Sequence, residues 1–152
     1  TMLNSTVYGG KIIGDFMQKY DIHVCLVSDQ AAPNLLPILD SEFKPQKAVF
    51  VVSTKDEIKE KANSLKLAFK QNDIDVEILE LSNEFDFQSM ETELFDLLSS
   101  YENENIALNV TGGTKLMAIA AQNVFSGVKP IFYINTNKEE IIFISKEKAV
   151  TN

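Results

Sequence analysis

The chain has 152 residues, 45% of them apolar and 24% charged, and a formal net charge of −8. That is one domain's worth of sequence, able to bury about two thirds of the surface its unfolded form exposes. The acidic balance speaks against duplex nucleic acid as a partner, because non-specific affinity for DNA comes from phosphate neutralisation by Lys and Arg.

The opening Thr1-Met2-Leu3-Asn4 has neither the basic nor the apolar region of a secretory signal. The longest apolar runs, Ala48 to Val52 and Leu116 to Ala121, fall far short of the roughly 20 residues a membrane helix needs. A cytoplasmic setting is the expectation. In the leader, residues 1–21, Ile12 or Ile13, Phe16 and Tyr20 recur at helical spacing and predict an amphipathic helix.

Next comes an alternation of short apolar runs and longer helical patterns. The first strand is expected over His23 to Ser28, with the lone Cys25 inside it as a small buried hydrophobe. His23, the only histidine, starts that strand and is expected at a surface or edge. The loop that follows, Ser28-Asp29-Gln30-Ala31-Ala32-Pro33-Asn34, holds a hydroxyl, a carboxylate and two amides. Such groups suit a base or a ribose, or they simply shape turns ahead of a helix begun by Pro33.

Lys47 to Ser53 reads as the second strand, and Asp56 to Gln71 as a helix with Ile58, Ala62, Leu65 and Phe69 on one face. Ile74 to Leu81 is the third strand. Gln88 to Tyr101 is a helix with Met90, Leu94, Leu97 and Tyr101 on its apolar side. Glu57-Ile58-Lys59 imitates half of a metal-nuclease site, but on a helix residues two apart do not share a face. The acidic residues between Asp73 and Asp96 read as solvated faces and caps, and no Cys/His set has zinc spacing.

Ile106 to Val110 is the fourth strand, and it runs into Asn109-Val110-Thr111-Gly112-Gly113-Thr114-Lys115 and then a helix over Lys115 to Ser126. The first four N–H groups of a helix lack intrahelical partners and carry about half a positive charge. Glycines let a ligand approach the backbone, so this junction suits a phosphate. It is equally serviceable as a plain strand-to-helix turn with Thr114 as N-cap. It is neither a Walker loop nor a dinucleotide fingerprint.

The helix after it is apolar nearly all round, which implies burial on more than one side, plausibly by another subunit. Pro130 to Asn135 is the fifth strand, and Ile141 to Ile144 pairs back on it as a sixth through a turn at Asn135-Thr136-Asn137-Lys138. The fold class expected is α/β: a Rossmann-like three-layer sandwich, mainly parallel, with strand order 3-2-1-4-5 and an antiparallel sixth strand. In that order the first and fourth strands are neighbours whose chains leave to opposite sides, and ligands bind at such a switch point. The two polar loops fall there.

These two loops, with Pro33-Asn34-Leu35-Leu36-Pro37 and the Lys-Pro-x-Phe-Tyr strand of Lys129 to Tyr133, strongly resemble a CARF (CRISPR-associated Rossmann fold) domain of the Card/Can-type subgroup. The resemblance covers nearly the whole chain. It implies a sensor domain over residues 22–146 between the leader and a tail, 147–152. It also implies a homodimer binding a cyclic oligoadenylate, above all cyclic tetra-adenylate, in type III CRISPR antiviral defence, with no other cofactor.

Carried onto this sequence, Ser28, Asp29 and Gln30 would meet adenine and ribose. Thr111, Gly112, Gly113, Thr114 and Lys115 would hold the phosphates, with Asn34 as a further member and Asn109 and Thr136 at the rim. The output would lie in an effector joined upstream, in one branch of the family a transmembrane helix that would tether the domain to the inner membrane. The leader would then be the connection, or else a capping helix or a piece of the dimer interface. Because some CARF domains cleave their messenger by 2′-hydroxyl attack, a ring nuclease is the alternative function. A mononucleotide- or dinucleotide-binding enzyme is a third reading, weakened because Val51-Val52-Ser53-Thr54 lacks the acidic residue expected to hold a ribose.

Overall fold

The computed structural model describes residues 5–8, 11–12, 19–28, 42–135, 137–138 and 140–145. In chain order the elements are β1 (Ser5–Tyr8), β2 (Lys11–Ile12), β3 (Ile22–Val27), β4 (Lys47–Val52), α1 (Asp56–Gln71), β5 (Asp75–Glu80), α2 (Phe87–Ser100), β6 (Ile106–Asn109), α3 (Lys115–Phe125), β7 (Ile131–Asn135) and β8 (Glu140–Ser145). Among the described residues the strands form one sheet in the order β2-β1-β8-β7-β6-β3-β4-β5. From β5 to β7 every pairing is parallel, and β8 returns antiparallel to β7. The six strands expected from the sequence therefore stand in the expected order, 3-2-1-4-5-6.

The apolar spacings explain the layers. Ile58, Ala62, Leu65 and Phe69 of α1 are buried on one sheet face with Cys25, Phe50, Val52, Phe132 and Phe143. Met90, Leu94, Leu97 and Leu98 of α2 and Met117, Ala120, Ala121 and Phe125 of α3 are buried on the other face with Val24, Leu26, Val49, Leu108 and Ile131. Successive strand residues point to opposite faces, so the central strands are apolar without interruption, as a sheet covered on both sides requires.

The helix ends follow local chemistry. Asp86 caps α2 by accepting from Ser89 N at 3.1 Å. Beyond α1, Asp73 takes the left-handed conformation with φ 64°, and Ile74 N bonds back to Phe69 O at 3.1 Å. At the lower end of the sheet Lys47 joins the layers. Its ammonium donates to Tyr101 OH at 2.6 Å and to Glu77 Oε1 at 3.2 Å, and the Tyr101 hydrogen bond is the main cause that raises its pKa.

Two expectations change. The leader contributes strands, because β1 pairs parallel with β8 and β2 pairs antiparallel with β1. Ile12 thus lies in a strand and Tyr20 in the buried coil before β3, while 13–18, the rest of the predicted helix, lie outside the described residues. His23 is not at a surface: it is buried against Phe43 and Phe132, with ring centroids 5.0 Å away in each case. The phenylalanines that cover it come from chain segments far from it in sequence. In α3, Ile119 is exposed within the protomer. No helix among the described residues is long and apolar enough to cross a membrane.

Candidate functional site

β3 and β6 lie side by side, with Cys25 opposite Asn109 at the last shared step of their register. Their exits therefore emerge together at the carboxyl end of the sheet. From β6 the chain passes to α3 on one face. From β3 it returns to β4 by way of Phe43, which packs with the opposite face. This divergence is the topological switch point expected from the sequence.

The turn from β6 into α3 is held by its own side chains. Asn109 is buried, and its Oδ1 accepts from Thr111 N at 3.0 Å and from the Thr111 hydroxyl. Thr111 Oγ1 in turn accepts from Ile134 N at 2.8 Å. Thr114 caps α3, its Oγ1 accepting from Met117 N at 3.2 Å. Gly113 has φ 85°, and a Cβ placed on it would lie 2.7 Å from Leu26 Cβ. The backbone therefore lies directly against β3, which only glycine permits.

What remains unspent is a row of donors. Among the described residues no acceptor takes the amide N–H groups of Gly112, Gly113, Thr114, Lys115 and Leu116. Lys115, exposed at the first position of α3, has no carboxylate partner among the described residues. These groups sit where the helix dipole is positive, so the local field favours an anion on a chain that is acidic as a whole.

The hydroxyls are differently placed. Thr111 has given its proton to Asn109 and positions the turn, whereas Thr114 keeps a proton to donate. Ser28, half-buried, marks the β3 side of the crevice. Asp29, Gln30, Asn34 and Thr136 lie outside the described residues.

Two buried polar atoms beside this crevice have no hydrogen-bond partner among the described residues: Asn109 Nδ2 and, at the end of β4 next to the β3 exit, Ser53 Oγ. An unpaired buried polar group costs about 1–3 kcal/mol. The sequence resemblance puts Asn109 at the rim and does not single out Ser53. The only signal for Ser53 is its position directly after a strand that neighbours β3.

Neither His23 nor Cys25 is poised as a base. His23 lies at the opposite end of β3, and burial lowers its pKa to about 3, so the imidazole is neutral. Burial pushes the Cys25 thiol up to about 12. No group of three or more metal-ligating side chains gathers among the described residues. A groove of about 720 Å3 between α2 and the end of α3, lined by Phe95, Leu98, Val124 and Val128, contains none of the residues of the crevice.

Comparison with known proteins gives the family and the fold. The Card1 CARF domain family matches residues 22–152. Can2 from Sulfobacillus thermosulfidooxidans, solved in complex with cyclic tetra-adenylate, superposes with a TM-score of 0.70 at 26% identity, covering 82% of this chain and 35% of its own. VC1899 from Vibrio cholerae superposes with a TM-score of 0.71 at 17% identity, over 86% of this chain and 34% of its own. A type III CRISPR defence DNA nuclease activated by cyclic oligoadenylate gives 0.62 at 18%, over 78% and 19%. At those last two identities the likeness is one of fold. The chain thus spans about a third of the length of Can2 and of VC1899, and no curated protein matches it. The match over residues 22–152 shows that this chain belongs to the Card1 CARF domain family.

Proposed function

We propose that this domain senses a cyclic oligoadenylate, cyclic tetra-adenylate in particular, in type III CRISPR defence. It does so as a homodimer in the cytoplasm and controls an effector outside the residues described. The observation that carries this reading is the row of unclaimed amides from Gly112 to Leu116 beside the Lys115 ammonium, set at the β3–β6 switch point. Can2, the relative at 26% identity, is solved with cyclic tetra-adenylate.

The assignment of roles follows the chemistry. Backbone donors and Lys115 take the phosphates, because oxyanions bind best where N–H groups and the dipole converge. Thr114 donates its hydroxyl proton, and Thr111 and Asn109 hold the turn in shape. The reading assigns base and ribose to Ser28 with Asp29, Gln30 and Asn34, and the rim to Thr136. A ring of four phosphates is divisible into two equal halves, which matches two copies of one site related by a two-fold axis.

The test is thermal stabilisation by cyclic tetra-adenylate, cyclic hexa-adenylate and NAD in parallel. A ligand at 100 times its dissociation constant stabilises by about 2.7 kcal/mol. The expected result is a shift with the four-membered ring well above that with the others, and no shift with either ring overturns the reading. Chromatography of the incubated ligand separates a sensor, which returns it intact, from a ring nuclease, which yields linear product.

A further inference from the structure

The groove of about 720 Å3 between α2 and the end of α3 has a chemistry of its own. Leu98, buried, and Val124, half-buried, form its floor, and Phe95 and Val128, 53% and 54% exposed, form its walls. Asp96 and Glu102 stand exposed on its rim, with no ion-pair partner among the described residues. Lys129 does not meet those carboxylates, because its ammonium donates to the backbone carbonyls of Glu102 and Glu104 at 3.2 and 3.0 Å. A site apolar at its centre and acidic at its edge fits a short segment that carries both lysine and an apolar side chain.

The chain that leaves β8 has that composition and starts beside the groove. Ser145 stands opposite Ile131, and the register between β7 and β8 shifts there, leaving Ile144 without a cross-strand partner. Such a bulge bends the strand, here at its last step. Val128 and Lys129, which line the groove, precede Ile131 by three and two residues. Residues 146–152 read Lys-Glu-Lys-Ala-Val-Thr-Asn and can reach about 23 Å when extended.

We infer that residues 146–152 dock in this groove along α2, with Lys146 and Lys148 passing Glu102 and Asp96, and Val150 against Phe95. The end of β8 and Glu102 both lie at the amino end of the parallel strands, so the tail enters at Glu102 and meets Phe95 afterwards. Alternate residues of an extended chain share a side, which turns both lysines and Val150 to the groove and Glu147 and Thr151 to water. Lysine stems lie along apolar surface while their ammoniums reach the rim.

The spacings agree. From Lys146 to Val150 an extended chain covers about 14 Å, and from Glu102 back to Phe95 the end of α2 covers about 10 Å. Charges and apolar anchor therefore fall in one register. Tethering favours this occupant over a separate partner, because a segment joined to its site by a short link meets it at an effective concentration in the millimolar range. The docking stands independently of the sensing reading.

Trypsin tests the inference on the unaltered 152-residue chain, since Lys146 and Lys148 are themselves cleavage sites. Mass spectrometry should show both bonds cut at least fivefold more slowly than in Phe95→Asp and in the double variant Asp96→Gln/Glu102→Gln. These three positions are exposed, so circular dichroism should be unaltered. Val150→Trp adds the only indole to a chain without tryptophan. Its emission should lie to the blue of a solvated indole and move to the red when Phe95→Asp is added. Equal cleavage in the wild type and both groove variants, or red emission from Val150→Trp alone, overturns the inference. So does protection that fades on dilution, which would mean that a second copy supplies the tail.

Discussion

The hydroxyl of Thr111 accepts the backbone N–H of Ile134 at 2.8 Å. The backbone ladder between β6 and β7 ends just before it, where Val110 N meets Phe132 O at 2.9 Å. A side chain thus supplies the next rung at the point where the chain leaves the sheet. The turn that presents the free amides is thereby tied to β7 on one side, and through Gly113 and Leu26 it presses on β3 on the other.

Replacing Thr111 by Val keeps the shape and removes both hydrogen bonds of the hydroxyl. Ile134 N–H and Asn109 Oδ1 then lose a partner, so Thr111→Val should destabilise the fold by about 1–3 kcal/mol, while Thr111→Ser should recover most of that. Urea unfolding of the three proteins checks this. Equal midpoints for Val and wild type would sink it.

Gly113 and Gly127 offer an internal comparison. Both have positive φ, 85° and 78°, but a Cβ on Gly127 meets nothing within 4 Å. Gly127→Ala should therefore cost only the backbone strain, about 1–2 kcal/mol. Gly113→Ala adds overpacking against Leu26 and should cost about 2–4 kcal/mol in all. Thermal unfolding should rank them in that order, and cyclic tetra-adenylate should bind the Gly113 variant less tightly. Identical melting temperatures would show that the contact with Leu26 is relaxed at little cost.

Where local pattern and tertiary burial coincide, the sequence suffices. Ile58, Ala62, Leu65 and Phe69 are spaced for one helix face and are the buried residues of α1. Thr114 precedes an apolar helix and caps it. Residues recruited by distant partners are not legible in this way. Ser5–Tyr8 becomes a strand because β8 offers a free edge, and no local alternation announces it. His23 is buried by Phe43 and Phe132, whose approach no spacing around His23 encodes. Asn109 reads as a rim donor, yet packing turns it inward, where one oxygen organises the turn.

Lys115 is exposed and has no ion-pair partner among the described residues, so its removal should leave folding untouched. If its ammonium meets a phosphate, Lys115→Ala loses a charge-assisted hydrogen bond of about 1.5–3 kcal/mol, or about 10- to 150-fold in affinity for cyclic tetra-adenylate. Lys115→Arg keeps the charge and should lose far less. Calorimetric titration decides it, and undiminished binding by the Ala variant would move the phosphates away from α3.

His23 should leave a signature in the pH dependence of stability. Its ordinary pKa is 6.5, and burial among phenylalanine rings lowers it to about 3. Between these values the unfolded chain carries a proton that the native state refuses. Stability from this residue is therefore complete above pH 6.5 and is lost as the pH falls toward 3. The slope is about 1.4 kcal/mol per pH unit for one proton. Between pH 6 and 5, where most carboxylates remain charged, wild type should lose about 1 kcal/mol that His23→Phe retains. Urea unfolding at pH 7, 6 and 5 measures the two slopes, whatever the variant's stability at pH 7. Parallel profiles would mean that the imidazole is reached by water and protonated in place, and the packing of β3 against Phe43 and Phe132 would have to be looser than described.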